Sequence, residues 1–263
     1  MKYYGGCDSG STYTKCVILD ETGKMVADVT LRSRINSVLS AQAALDEAVA
    51  QVPDLKSAKD LAYLVGTGYG RNKVPFADEN ISEISCHAMG VHVADPSVRS
   101  IIDIGGQDAK AIRLDNKGGI KQFFMNDKCA AGTGRFIEVM ARVLETTLDE
   151  MATLDEQAED TAPISSTCTV FAESEVISQL SKGTDRKSIA RGVHMSVASR
   201  ACGLAYRAGL EKDIVFTGGV AKNAGVVRAV SSVLKTDVIV APNPQTTGAL
   251  GAALFAYEAA TKK

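Results

Sequence analysis

Residues 8–23, DSGSTYTKCVILDETG, decide the fold, because their pattern returns at residues 103–118 as DIGGQDAKAIRLDNKG. Aligned with a shift of 95 positions, the two stretches are identical at six of sixteen positions. In the first copy the identical residues are Asp8, Gly10, Lys15, Leu19, Asp20 and Gly23. Repetition at a fixed spacing indicates that a structural unit is duplicated. We therefore predict two similar lobes, one over residues 1–95 and one over residues 96–263.

Each copy is predicted to form a strand, a tight turn and a second strand, followed by a glycine hairpin. In the rest of the chain, short buried strands alternate with apolar residues at helical spacing, which is typical of α/β proteins. A helix is predicted over residues 40–52, ending at Pro53. Residues 147–161 are acidic, and we expect them to be an exposed segment.

The composition excludes several classes of protein. The chain has 263 residues, of which 45% are hydrophobic and 23% charged, and its net charge of −2 gives no electrostatic reason to bind nucleic acid or an anionic membrane. No apolar run reaches the roughly 18 residues that a membrane span needs. The N-terminus, MKYYGGCDSG, lacks the apolar core of a signal peptide. We therefore expect a cytoplasmic protein.

The duplicated Asp-led turns carry groups that can bind phosphate and metal. In the first turn, backbone N–H groups and the hydroxyls of Ser11 and Thr12 can bond a phosphate that Lys15 also reaches. Asp8, at the end of its strand, is placed to hold Mg²⁺ through water. One such turn alone is better explained as an ordinary polar hairpin, but two of them favour a shared nucleotide site.

The second turn adds candidates for catalysis. Gln107 can orient an attacking water, and Asp103 or Asp108 can assist metal binding or proton transfer. The chain contains no GxxxxGK[ST] sequence, so the predicted site is not a P-loop. A third glycine turn, FTGGVAKN at residues 216–223, follows a strand and opens a helix. Its Gly218 and Gly219 let the backbone approach a flat base or a ribose closely.

Two cysteines precede predicted helices. Cys129 lies in NDKCAAGTGRFIEVMARVL, residues 126–144, and Cys168 follows a polar turn at residues 165–167. A thiolate near a helix N-terminus is stabilised by the peptide dipoles. Two cysteines are too few for a closed metal site, so a symmetric partner is suspected. The other four show no CxxC spacing and are interpreted as structural, although the pair Cys86 and His87 could mimic a metal site.

The order of the three glycine turns resembles the phosphate-1, phosphate-2 and adenosine motifs of the actin, heat-shock chaperone and sugar-kinase superfamily of ATPases. The sequences around both cysteines, MNDKCAAGTGRF and SSTCTVFAESEVISQLSKGTD, further resemble the activator component of 2-hydroxyacyl-CoA dehydratases, as do GTGYGRN and PQTTGALGAAL. That family is related to the ATPase subunits of benzoyl-CoA reductase. The resemblance extends over residues 5–257.

This resemblance implies two ribonuclease H-like, actin-like ATPase lobes with a nucleotide cleft between them, binding ATP or ADP with Mg²⁺. The nucleotide contacts that it implies are Ser11, Thr12, Tyr13, Thr14, Lys15, Gly105, Gly106, Asp108, Gly218, Gly219, Lys222 and Gln245. The family usually has an aliphatic residue where Cys7 stands and often Gln where Lys222 stands.

The resemblance also implies a cofactor, partners and an activity. One 4Fe–4S cluster is shared by a homodimer, with Cys129 and Cys168 as the ligands from each chain. A ferredoxin- or flavodoxin-type reductant supplies an electron, and ATP hydrolysis drives its transfer to a separate dehydratase component. The alternatives are a small-molecule kinase of the same superfamily, which needs an acceptor pocket, and a chaperone-like binding module, which needs a peptide-binding domain.

Overall fold

The computed structural model describes residues 1–165 and 168–261. Contacts divide the chain into two compact units. Unit 1 comprises Met1–Ser97, Leu114–Ile120 and Gln245–Lys263, and unit 2 comprises Val98–Arg113 and Lys121–Pro244. The C-terminal segment thus belongs with unit 1 by its contacts, whereas the sequence-based division grouped it with the second lobe.

Unit 1 is built on a five-stranded sheet with the order β3-β2-β1-β4-β5. The first three strands form an antiparallel meander, and the last two run parallel to β1. The strands are β1 (Tyr4–Ser9), β2 (Tyr13–Leu19), β3 (Met25–Arg32), β4 (Tyr63–Thr67) and β5 (Glu79–Asn80). The helices of this unit are α1 (Ser37–Ala50), α2 (Glu83–Ala94) and α8 (Thr247–Thr261).

Unit 2 repeats this topology. Its sheet has the order β10-β9-β6-β7-β8, in which β6 and β7 are antiparallel while β9 and β10 run parallel to β6. The strands are β6 (Ser100–Ile104), β7 (Ala109–Leu114), β8 (Ile120–Asn126), β9 (Ile214–Thr217) and β10 (Ile239–Val240). The helices are α3 (Gly134–Val143), α4 (Leu148–Glu156), α5 (Thr169–Ser181), α6 (Arg186–Ala208) and α7 (Ala224–Leu234). Two mixed sheets with helices make this an α/β protein, as predicted.

Helix α8 packs directly on β1 because a glycine removes the side chain between them. A Cβ added at Gly6 would overlap the carbonyl oxygen of Ala249. Gly251 lies equally close to the backbone of Cys86 on α2. These approaches between backbones explain why the C-terminal helix is an integral part of unit 1.

Most predicted elements are present, with shifted ends. Helix α1 begins at Ser37, three residues earlier than predicted, because the Asn36 side chain accepts hydrogen bonds from the amides of Val38 and Leu39. The predicted exposed segment at residues 147–161 instead contains α4, which begins with a reciprocal Thr147–Glu150 capping box. Within the described residues, no helix combines the length and apolarity needed to cross a membrane.

Candidate functional site

The first Asp-led turn is held by a cross-strand ion pair. Asp8 on β1 lies opposite Lys15 on β2 in the antiparallel register, and Lys15 Nζ donates to Asp8 Oδ2 over 2.8 Å. Both side chains are largely buried, with relative exposures of 17% for Lys15 and 10% for Asp8. The carboxylate is therefore fixed in direction while one edge of the pair still meets solvent.

The second Asp-led turn repeats this pair in a more buried setting. Asp103 lies opposite Lys110 in the β6–β7 register, and Lys110 Nζ is 3.1 Å from Asp103 Oδ2 and 2.9 Å from Asp108 Oδ2. The Thr217 hydroxyl donates to Asp103 Oδ1 over 3.0 Å. The amide of Gly105 donates to the carbonyl of Asp108 and closes the turn. A single buried ammonium group thus orients two carboxylates.

Sequence reasoning missed a second duplicated feature beside each Asp. Strands β4 and β9 both end in Thr-Gly, and in the parallel registers Thr67 lies opposite Asp8 while Thr217 lies opposite Asp103. The following glycines, Gly68 and Gly218, have φ values of 86° and 87°. A Cβ on either glycine would collide with the neighbouring Asp carboxylate. The repeated V-x-T-G of residues 65–68 and 215–218 was the available signal.

The predicted phosphate-1 residues occupy one hairpin tip but differ in exposure. Ser11 is exposed, whereas Thr12 and Tyr13 are half-buried. Thr14 is buried, and its hydroxyl shares a 2.9 Å hydrogen bond with the Ser33 hydroxyl, which also donates to the carbonyl of Gly10. Thr14 therefore stabilises the turn from inside, and its role as a phosphate contact stays a prediction.

The other predicted nucleotide contacts lie on turns after strands. Gly219 and Lys222 belong to a short 3₁₀ turn that follows β9, and Lys222 is exposed. Gln107 is exposed at the tip of the β6–β7 turn, and Gly106 and Asp108 beside it are partly buried. Gln245 is half-buried just before α8 and belongs to unit 1. Their contacts with a nucleotide stay predictions.

Cys129 lies on a loop tied to the start of α3. The helix begins at Gly134, so Cys129 is five residues ahead of it and not at the helix start itself. The side-chain amide of Asn126 donates to the carbonyls of Cys129 and Ala131, over 2.9 and 3.2 Å. The thiol is partly exposed. The loop thus presents Cys129 at the surface in a defined conformation.

Cys168 is directly at a helix start. It is the N-cap residue of α5, its side chain makes no capping hydrogen bond, and its thiol is partly exposed. The next residue, Thr169, has a buried hydroxyl without a hydrogen-bond partner. The expected polar turn at residues 165–167 falls mainly outside the described residues, but the amide of Ser165 donates to Glu175 of α5. Glu175 is therefore a structural contact of this segment.

The four remaining cysteines are buried, as predicted. Burial raises the pKa of the Cys86 and Cys202 thiols to about 12. A hydrogen bond with Cys16 and burial raise the pKa of Cys7 well above its usual value. Thiols with raised pKa values are poor metal ligands, because metals bind the thiolate. Only Cys129 and Cys168 combine partial exposure with positions on a surface loop or a helix start.

Comparison with known proteins identifies the family. The profile of the BadF/BadG/BcrA/BcrD ATPase family matches residues 6–256. The chain belongs to this family. It is 71% identical over 261 residues to the activator of lactoyl-CoA dehydratase from Anaerotignum propionicum, a match that covers 99% of this chain and 100% of that protein.

Other members of the family are similar over their full length. The (R)-2-hydroxyglutaryl-CoA dehydratase activating ATPase of Acidaminococcus fermentans is 49% identical over 261 residues, covering 99% of each chain. The solved structure of the activator of the 2-hydroxyisocaproyl-CoA dehydratase from Clostridium difficile, with bound ADPNP, matches with a TM-score of 0.93 at 46% identity. That match covers 99% of this chain and 96% of the other. The predicted family and its actin-like ATPase fold are thus confirmed.

The thiols of this family member fit half of a metal cluster. Among the residues that the structure describes, no group of three or more His, Cys, Asp or Glu side chains is arranged to hold a metal ion. A 4Fe–4S cluster ordinarily has four thiolate ligands. Two partly exposed thiols, one of them at an uncapped helix start beside a buried hydroxyl that lacks a partner, match two of the four ligands that such a cluster needs.

Proposed function

We propose that this protein is an ATP-driven one-electron donor that activates a 2-hydroxyacyl-CoA dehydratase. The observation that carries the proposal is the 71% identity, over the whole length, to the activator of lactoyl-CoA dehydratase. The alternative, a small-molecule kinase, would need an acceptor pocket built from insertions. Full-length similarity to dehydratase activators does not favour this alternative.

In this proposal the two Asp-led turns bind ATP and Mg²⁺. Asp8 and Asp103 supply carboxylate oxygens, which are the ligands that Mg²⁺ prefers. Lys15 and Lys110 hold these carboxylates in position through their ion pairs. Gln107, exposed at the tip of its turn, orients the attacking water. The ADPNP bound to the Clostridium difficile activator supports a nucleotide of this class.

The proposed cluster supplies one-electron chemistry at low potential when it is bound. Cys129 and Cys168 hold it together with the same residues of a second copy, because each chain offers only two thiols that are partly exposed. The apolar side chains beside Cys168 support this arrangement. Val170, Phe171 and Ile177 on α5 are 67%, 70% and 50% exposed, and a second copy would cover them.

The other proposed partners follow from the activity. A ferredoxin- or flavodoxin-type protein supplies the electron, and the dehydratase component receives it. We place the reaction in the cytoplasm, where a reducing environment keeps the six cysteines free of disulfides.

Anaerobic purification tests this function. We expect a coloured protein with four irons per two chains, ATP hydrolysis, and ATP-dependent activation of a lactoyl-CoA dehydratase component supplied with a one-electron reductant. Exposure to air should bleach the colour. Phosphorylation of a sugar by colourless protein would instead establish the kinase alternative.

A further inference from the structure

We infer that Gly134 is the junction through which the second Asp-led turn positions the Cys129 loop. The inference rests on the proposed function, since it states how the nucleotide acts on one of the cluster cysteines. It concerns residues of unit 2 only, and each contact that it uses lies within that unit.

The start of α3 is hydrogen-bonded to the turn that carries Asp103. The Gly134 amide donates to the carbonyl of Gly105 over 2.9 Å, and the Arg135 amide donates to the carbonyl of Gly106 over 2.8 Å. The first amides of a helix have no partner within the helix. The N-cap residue, Thr133, provides no side-chain hydrogen bond to them. The Asp-led turn therefore takes the place of a helix cap.

The same helix start is bonded to the cysteine loop on its other side. The Thr133 amide and hydroxyl both donate to the carbonyl of Ala130, over 3.1 and 2.7 Å. Ala130 is the residue after Cys129, whose own carbonyl is held by Asn126. Hydrogen bonds on either side of the Thr133–Gly134 peptide bond thus connect the backbone of the Asp-led turn to the residue beside the thiol.

Gly134 is where this connection requires a glycine. A Cβ at this position would lie 3.1 Å from the Gly105 oxygen, 3.2 Å from Val220 Cγ2 and 3.3 Å from the Gly106 Cα. Its φ is outside the left-handed region, so backbone conformation does not demand glycine here. The close approach does. Val220 lies on the 3₁₀ turn of the predicted adenosine motif, so Gly134 contacts both nucleotide-binding turns of unit 2.

Because of this packing, we expect the turn, the start of α3 and the Cys129 loop to move together as one rigid unit. Packed interfaces respond to small shifts by moving between discrete arrangements and not by deforming gradually. A phosphate that accepts a hydrogen bond from the Gly106 amide would fix the turn whose carbonyls hold the start of α3, and α3 and Cys129 would follow. Gly134 is a positioning residue in this sense, since it touches neither nucleotide nor thiol.

Substitution with alanine tests the junction. The Gly134→Ala variant should still bind nucleotide and hold iron, but its contact with the turn is forced apart by a few tenths of an ångström. The measurement is the rate of iron release to a chelator, under anaerobic conditions, with ADP and with a non-hydrolysable ATP analogue. In the wild-type protein we expect the rate of iron release to differ between ADP and the ATP analogue. In Gly134→Ala we expect the ratio of these two rates to be about one.

The chain offers a matched control. Gly203 lies within α6, towards its C-terminal end, and a Cβ there would meet nothing within 4 Å. Gly203→Ala should therefore keep the wild-type ratio. A wild-type ratio in Gly134→Ala overturns the inference, whereas wild-type protein that lacks iron or ATP hydrolysis overturns the proposed function instead.

A second measurement does not depend on how the variant folds. Hydrogen exchange at the amides of Gly134 and Arg135 in the wild-type protein should differ between the ADP state and the ATP-analogue state. Equal exchange at both amides in the two states overturns the inference.

Thr133→Val, which removes only the hydroxyl bond to Ala130, should reduce the nucleotide dependence of iron release without changing nucleotide affinity.

Discussion

At the scale of single residues, duplication has preserved a pair of side chains and changed its surroundings. Asp8 with Lys15 and Asp103 with Lys110 occupy the same register positions in their two sheets. Lys110 and Asp103 are each only 4% exposed, and Lys110 also forms an ion pair with Asp108. A charge pair buried this deeply persists only when its hydrogen bonds are satisfied, and Thr217 supplies one of them.

We predict that Asp8→Asn and Asp103→Asn each lower ATP turnover by about 100-fold or more, because each removes a charged ligand or proton acceptor from the reaction. Steady-state ATPase assays on variants with wild-type circular dichroism measure this. The duplication also supplies matched controls. Asp20 and Asp115 are duplicated as well, but their carboxylates accept hydrogen bonds from backbone amides within hairpin turns. Asn at those positions should leave turnover within about twofold, and equal losses in both sets would contradict the assignment.

Thr169 gives a prediction about the reduction potential of the proposed cluster. Its buried hydroxyl has no partner and adjoins Cys168, so we expect it to donate to a sulfur of the proposed cluster when that cluster is bound. Hydrogen bonds to the sulfurs stabilise the reduced, more negative cluster. Thr169→Val should therefore lower the reduction potential of the cluster. On this scale, about 59 mV corresponds to a tenfold change in the ratio of oxidised to reduced cluster. Thr169→Ser should stay near the wild type. An unchanged potential in Thr169→Val, measured by anaerobic redox titration, would exclude this bond.

Residue types and spacing predicted the Asp-led turns and the placement of Cys129 and Cys168 ahead of helices. They did not predict Thr217, Gly68 or the pairing of Lys110 with two carboxylates. These depend on the strand register across each sheet, which brings residues from distant parts of the sequence side by side. A second repeat at a different shift, V-x-T-G, carried the information but was too short to stand out.

At the scale of elements, the largest departure from the sequence-based prediction is α4. Its acidic sequence predicted an exposed segment, yet Met151 and Asp155 are buried and the helix packs on α6 and α7. Asp155 accepts hydrogen bonds from Arg191 and Arg228 and lies 3.7 Å from the buried His194. Sequence pattern alone could not reveal this, because the compensating charges come from helices more than 30 residues away.

Asp155 joins three helices, so its removal should be costly. Taking away one member of a buried charge network typically costs about 3–5 kcal/mol. We predict a loss of that order in the free energy of unfolding for Asp155→Asn, measured by denaturant titration of the protein. Glu156→Gln, at the exposed neighbouring position, is the control and should change stability by less than about 0.5 kcal/mol.

The same carboxylate predicts a pH dependence. Burial by itself raises the pKa of Asp155, but the nearby His194 and the hydrogen bond from Arg228 outweigh this and hold the pKa below its ordinary value. A depressed folded-state pKa means that the stabilisation is complete above the unfolded value of about 3.9 and disappears as the pH falls through the folded value. The stability difference between wild type and Asp155→Asn should therefore shrink below about pH 4. A difference that stays constant between pH 7 and pH 3 would show that the charge is not responsible.

At the scale of the whole molecule, each unit repeats one strand topology, and the repeat in sequence predicted this correctly. The C-terminal helix is the exception. It follows unit 2 in the sequence but packs on β1 and α2 of unit 1, where Gly6, Gly90 and Gly251 let backbones approach. A domain boundary placed at the start of the second repeat cannot show that the C-terminal helix packs back on unit 1. The only trace of this packing in the sequence is the small residues at the contact.

The proposed shared cluster predicts how two copies of the chain assemble. Each chain offers the thiols of Cys129 and Cys168 at its surface, and the apolar residues of α5 lie next to Cys168. A twofold axis through the cluster would provide four thiolates with no further residue, and the metal would then hold the two copies together. We predict that Cys129→Ser or Cys168→Ser abolishes iron binding and weakens dimerisation. Cys86→Ser and Cys202→Ser should do neither, because those thiols are buried and their pKa values are raised to about 12. Analytical ultracentrifugation of anaerobic protein, with iron determined in the same samples, measures both quantities. A monomer that retains four irons would contradict the shared cluster and require ligands beyond these two cysteines.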